Sequence, residues 1–139
     1  MIWNGKYETM GREDLAQVQI ERLQSTLNRA RRNVAFARQA FEGAGVKVEE
    51  VRRLADLAAL PFTTRADLRA AYPYDMFAVP LRDIVRIQCT SGTTGRPVVV
   101  GYTANDVRAW SECMARVLAS GGVTEHDVVQ VSFTYGLFS

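Results

Sequence analysis

Ile84-Val85-Arg86-Ile87-Gln88-Cys89 is a β-rich run, and Thr90-Ser91-Gly92-Thr93-Thr94-Gly95-Arg96-Pro97 follows it directly as a loop of small hydroxylated residues and glycine. Val98-Val99-Val100-Gly101-Tyr102 is a second β-branched run, bounded by Pro97 and Gly101. Thr103 and Asp106 stand three residues apart, as the two partners of a capping box do, and predict a helix start. Val107, Trp110, Met114, Val117 and Leu118 then mark the buried face of that helix, and Gly121-Gly122 ends it. Val128 to Phe133 reads as a third strand. Strand, loop, strand, helix, strand is the order of an α/β domain.

Upstream the pattern is helical. Ala16, Ile20, Leu23, Leu27, Ala30, Val34, Ala37 and Phe41 recur at spacings of four and three, which predicts one long helix from about Glu13 to Phe41. Gly43 and Gly45 supply its stop. A second amphipathic piece runs from Val48 to Leu60, with Val51, Leu54 and Ala58 on one side and Pro61 closing it. Thr64 and Asp67 form another capping box, opening a short helix to about Ala71. Tyr72-Pro73 stops it, because proline disfavours helical geometry at the residue before it. The expected division is a helical region at 1–80 and the start of an α/β domain at 81–139. A sheet with so few strands needs more partners, so the second domain is expected to be incomplete.

Composition narrows the class. With 139 residues, 47% hydrophobic and 23% charged, the chain is ordinary globular material rather than disordered or collagen-like. Seventeen basic and fifteen acidic residues leave a net charge of +2, so nothing demands an anionic polymer as partner. Two cysteines, Cys89 and Cys113, do not make a disulfide scaffold. No apolar run of signal-peptide or membrane-spanning length is present, and the expectation is a cytoplasmic protein with no membrane partner.

The loop carries the chemistry. Gly92 and Gly95 let backbone N–H groups turn inward and permit close approach of a ligand. Ser91, Thr93 and Thr94 add hydroxyl donors, and Arg96 adds a permanent charge suited to a polyphosphate. No G-x-x-x-x-G-K-[ST] pattern fits, which argues against an ordinary P-loop NTPase. The competing reading is a plain polar connection between two strands, since these residue types are common in loops.

Residues 91–97 closely resemble the phosphate-binding signature of the adenylate-forming superfamily of acyl-CoA synthetases, Ser-Gly-[Ser/Thr]-Thr-Gly-Lys-Pro, with Arg96 in place of the lysine. Within it, Leu60-Pro61-Phe62-Thr63-Thr64-Arg65-Ala66-Asp67-Leu68-Arg69 resembles the phenylacetate-CoA ligase branch. So do Tyr72-Pro73, Met76-Phe77-Ala78-Val79-Pro80, Val99-Val100-Gly101-Tyr102-Thr103 and Tyr135-Gly136-Leu137-Phe138. The resemblance implies a helical N-terminal region followed by the first strands and phosphate loop of the family's large α/β domain. It implies a two-step reaction: an aromatic acid attacks the α-phosphate of ATP, and coenzyme A then displaces AMP. Thr90, Ser91, Gly92, Thr93, Thr94, Gly95 and Arg96 would bind the nucleotide phosphates, with no nucleophile among them. Mg²⁺ is implied, with ligands elsewhere. The family's Tyr-Gly-x-Thr-Glu segment, ribose aspartate and C-terminal lysine have no counterpart here, so these residues alone should not catalyse. A homodimer is expected of the complete enzyme.

Other features each admit a blander reading beside a functional one. Phe133, Tyr135 and Phe138 lie where open α/β sheets bind ligands, and Tyr135 and Phe138 are candidates for an aryl pocket. Alternating aromatics also simply pack a core. Arg29, Arg31, Arg32 and Arg38 suggest nucleic acid, but a solvated helix face is the better reading. The lone His126 lacks partners at metal-ligand spacing and reads as a surface turn. Cys89 reads as a small buried strand residue, although a positive field would make it reactive. A non-catalytic phosphate-binding module and another aryl-acid ligase are the remaining alternatives.

Overall fold

The helical stripe predicted from Ala16 to Phe41 is present, but two helices carry it. The computed structural model describes residues 1–90 and 95–132. After a single turn, α1 (Gly5–Glu8), come α2 (Arg12–Asn33) and α3 (Ala35–Gly43). Val34 separates them in an extended conformation, φ −117° and ψ 111°. Its N–H still donates to Ala30 O at 2.9 Å and its carbonyl accepts from Arg38 N at 3.1 Å, so the break loses little hydrogen bonding. A β-branched residue is the natural place for it. Every residue of the stripe is nonetheless at least half-buried, and Ile20, Leu27, Val34 and Phe41 are buried. Glu13 and Asp14 in the first turn of α2, with Arg31 and Arg32 in the last, complement the helix dipole.

The stop after α3 falls at Gly45, whose φ of +66° suits only glycine without strain. Val46 N then donates to Phe41 O at 2.8 Å, satisfying a carbonyl at the helix end. The amphipathic piece from Val48 to Leu60 is not a continuous helix. It consists of two 3₁₀ turns, Val48–Glu50 and Leu54–Ala59, separated by an extended stretch. Ala58 is exposed and Leu54 half-buried, whereas Val48 and Val51 are buried. These turns close the core: Ile20, Leu27, Phe41, Val48 and Val51 cluster, with Leu23, Ala37, Val46 and Leu60 packed against them. Gln24 Nε2 donates to Val51 O at 2.9 Å and ties the end of the first turn to α2.

Next comes α4 (Arg65–Ala70), capped by Thr64 and Asp67 as predicted. The Thr64 N–H and hydroxyl donate to Asp67 Oδ2 at 2.7 and 2.6 Å. A 3₁₀ turn at Leu81–Asp83 leads into β1 (Ile84–Cys89), which pairs antiparallel with β2 (Val99–Thr103). The register sets Ile87 opposite Gly101 and Cys89 opposite Val99, with an irregularity between Ile84 and Arg86. Thr103 both ends β2 and caps α5 (Ala104–Ser120), again through its predicted partner Asp106.

Two expectations fail in this half. Residues 128–132 form no strand; Val128, Val129 and Val131 are 98%, 56% and 46% exposed and have no ladder to join among the described residues. Phe133, the last residue of that expected strand, lies outside the described residues. The apolar face of α5 is also largely uncovered. Val107 is half-buried, but Trp110, Met114, Val117 and Leu118 are exposed. A two-stranded sheet offers too little surface to cover a five-turn helix. The architecture is α/β, with its core in the helical half.

Candidate functional site

The two strands bring the ends of the loop together. Thr90 N donates to Val98 O at 3.0 Å, and Val98 N donates back to Thr90 Oγ1 at 3.0 Å. Thr90 therefore closes the base of the loop, and its hydroxyl proton is what remains to offer a ligand. Ser91, Gly92, Thr93 and Thr94 lie outside the described residues, as do the proposed pocket residues Tyr135 and Phe138. Gly95 has φ +127°, a conformation that a side chain would strain. Arg96 is exposed at the loop exit, and Pro97 is half-buried behind it.

Behind β2, the chain seats a ring on a glycine. A Cβ on Gly101 would lie 2.6 and 2.7 Å from Cε2 and Cζ of Phe77, and 3.1 Å from Ile84 Cδ1. Tyr74 steadies that ring, with centroids 5.2 Å apart and planes tilted by 48°. Asn33, the last residue of α2, donates from Nδ2 to Ala78 O at 2.8 Å. None of this was read from the sequence, although a glycine inside a β-branched run is the usual mark of a close approach.

The N-terminal residues also have a role that their sequence does not advertise. Trp3 Nε1 and Asn4 Nδ2 donate to the Glu112 carboxylate on α5 at 3.0 and 2.7 Å, and Arg116 pairs with it at 3.1 Å. Those bonds, Trp3 first, hold the Glu112 carboxyl below its usual range. The Tyr7 ring meets the guanidinium groups of Arg22 and Arg116 at 5.4 and 5.5 Å, joining α2 to α5. At the start of α5 the Asp106 carboxyl is likewise lowered, by the Thr103 hydroxyl, then the Thr103 N–H, with a smaller push from Arg29.

The remaining candidates fall as the blander readings expected. Cys89 is buried in β1, Cys113 is an exposed free thiol, and His126 is exposed in a turn. Arg29, Arg31, Arg32 and Arg38 are all exposed, and Arg31 pairs with Glu49 at 3.0 Å. A cavity of about 630 Å³ is lined by Trp3, Leu118, Ala119 and Val123 among others, and no described residue of the loop lines it. Among the described residues no three His, Cys, Asp or Glu side chains converge to hold a metal ion, so no step is assigned to Mg²⁺ on them. No described helix is long and apolar enough to cross a membrane.

Comparison with known proteins shows what the chain is similar to. The chain is 45% identical over 142 residues to a phenylacetate-coenzyme A ligase of Escherichia coli strain K12, covering all of this chain. It is 46% identical over 132 residues to that of Pseudomonas putida and 40% identical over 139 residues to that of Thermus thermophilus. This chain is homologous to the phenylacetate-coenzyme A ligases. It spans about a third of their length: 32%, 30% and 31% of the three. A crystal structure of 2-hydroxyisobutyryl-CoA ligase with 2-HIB-AMP and CoA superposes with a TM-score of 0.88 over 98% of this chain and 30% of that one, at 32% identity. The same ligase in its postadenylation state gives 0.86 over 99% of this chain, at 29% identity. The fold matches a portion of an acyl-CoA ligase fold of the adenylate-forming kind. No protein-family model matches the chain.

Proposed function

We propose that this chain is the N-terminal portion of an ATP-dependent, AMP-forming acid-CoA ligase whose acid is phenylacetate. The observation that carries the proposal is the 40–46% identity to four phenylacetate-coenzyme A ligases along 95–100% of this chain. In that reading the acid's carboxylate attacks the α-phosphate of ATP, giving an acyl-adenylate and pyrophosphate. The thiol of coenzyme A then displaces AMP to leave a thioester. The attacking groups belong to the substrates, so the task of residues 90–96 is to hold phosphate oxygens. Arg96, with the loop N–H and hydroxyl groups, would stabilise charge on the departing pyrophosphate, and preorganised donors of that kind lower such a barrier without reorganising. The Thr90–Val98 pair supports this role by fixing the width of the loop at its base. The division near residue 80, the homodimer and the aryl-pocket role of Tyr135 and Phe138 belong to the same proposal. So does a cytoplasmic setting, with which the free thiol of Cys113 accords.

The test is acid-dependent AMP release by the complete reading frame containing this segment, with ATP, Mg²⁺ and coenzyme A. AMP that appears only with phenylacetate supports the reading. AMP with 2-hydroxyisobutyrate or another acid instead keeps the mechanism and moves the substrate. No AMP with any acid leaves a phosphate-binding module.

A further inference from the structure

We propose that the helical half of the chain positions the phosphate loop through Asn33 and Phe77, with Gly101 as the seat. The inference rests on the ligase reading above and adds positioning residues to it. Asn33 is the last residue of α2, at the break before Val34, and its side chain holds Ala78 O at 2.8 Å. The adjacent residue, Phe77, lays its ring edge against the bare Cα of Gly101. Phe77 cannot easily yield, because its N–H is bound to Tyr74 O at 2.9 Å and its ring packs on Tyr74. Gly101 pairs with Ile87 across the hairpin and lies three residues beyond Val98, which closes the loop with Thr90. Three residues of extended chain carry a displacement about 10 Å with little compliance. A shift at the seat therefore reaches the loop base, whereas the core around Ile20 and Val48 contains none of these residues.

The experiment measures ATP and coenzyme A affinities of the complete protein by calorimetry, with melting temperatures, for Gly101→Ala, Phe77→Leu, the double variant and Asn33→Ala. Gly101→Ala should weaken ATP binding on the order of tenfold, since sub-ångström misplacement of phosphate donors is costly. Coenzyme A affinity should stay within about twofold. Phe77→Leu, which removes the ring edge, should restore most of the loss in the double variant. Asn33→Ala should weaken ATP binding in the same direction with a native melting temperature, and it carries the test if Gly101→Ala fails to fold. Additive effects in the double variant, unchanged ATP affinity in both Asn33→Ala and Gly101→Ala, or equal loss for both ligands would overturn the coupling and leave the ligase reading standing. An unsubstituted protein that neither binds ATP nor releases AMP with any acid fails the reading itself, and the coupling falls with it.

Discussion

Thr90 and Val98 face each other across the mouth of the loop and exchange two hydrogen bonds, both 3.0 Å, one of them through the Thr90 hydroxyl oxygen. The hydroxyl adds one more bond beside the ladder between β1 and β2, so the loop begins from a fixed base. Thr90→Val keeps shape and β-branching but removes the acceptor, leaving the half-buried Val98 N–H unpaired. We expect a loss of about 1 kcal/mol in denaturant unfolding, and Thr90→Ser should retain most of the stability. Equal stability of the valine and wild-type proteins would show that the side-chain bond does not hold the loop.

Arg96 stands exposed at the loop exit, where the related signature has lysine. If it meets pyrophosphate oxygens, Arg96→Ala should slow acid-dependent ATP–pyrophosphate exchange on the order of a hundredfold. Thioester formation from supplied acyl-adenylate should change much less. Equal loss in both half-reactions would sink the assignment, because a leaving-group contact is used only in the first.

Phe41 and Phe62 give a matched comparison. Phe41 is 8% exposed within the helical core, and Phe62 is 93% exposed ahead of α4. Phe41→Ala should cost about 3–5 kcal/mol, and Phe62→Ala should stay within about 0.5 kcal/mol. Urea unfolding of the two variants checks this, and similar losses would contradict the placement of the core.

Three Thr–Asp pairs repeat one device. Thr64–Asp67 and Thr103–Asp106 cap helices, and Thr124–Asp127 closes a turn with bonds of 2.7 and 2.8 Å. In each the carboxyl is held below the usual aspartate range by hydrogen bonds from its threonine. A depressed native pKa contributes stability that is full above the unfolded-state value and is lost as pH falls through the native one. The melting temperature should therefore drop on acidification below the ordinary aspartate range. Asp106→Ala should lower it at neutral pH and shrink the acid-induced drop. A variant whose acid dependence matches wild type would remove Asp106 from that linkage.

Local chemistry made much of this molecule legible in the sequence. The capping boxes at Thr64 and Thr103, the stop at Gly45, the two paired strands and the buried stripe from Ile20 to Phe41 follow from backbone preferences and side-chain spacing. Those act over a few residues. The loop signature was legible for the same reason, since seven consecutive residues, 91–97, define it.

What spans distance was not. The break at Val34 leaves the periodicity intact, so spacing could not reveal it, and only the tertiary structure shows Asn33 meeting Ala78 there. Residues 128–132 have strand-like composition, yet a strand exists only where a neighbour supplies its hydrogen bonds, and none of the described residues does. The α5 face carries the right apolar pattern, but burial depends on what packs against it. Trp3 and Asn4 reached Glu112, and Phe77 reached Gly101, by folds of the chain that bring distant residues together. Sequence by itself determined the helix caps and stops, the two β-runs and the loop signature, because near neighbours decide them. Tertiary structure alone decided where the helical half braces the hairpin, because contact between distant residues depends on the path of the whole chain.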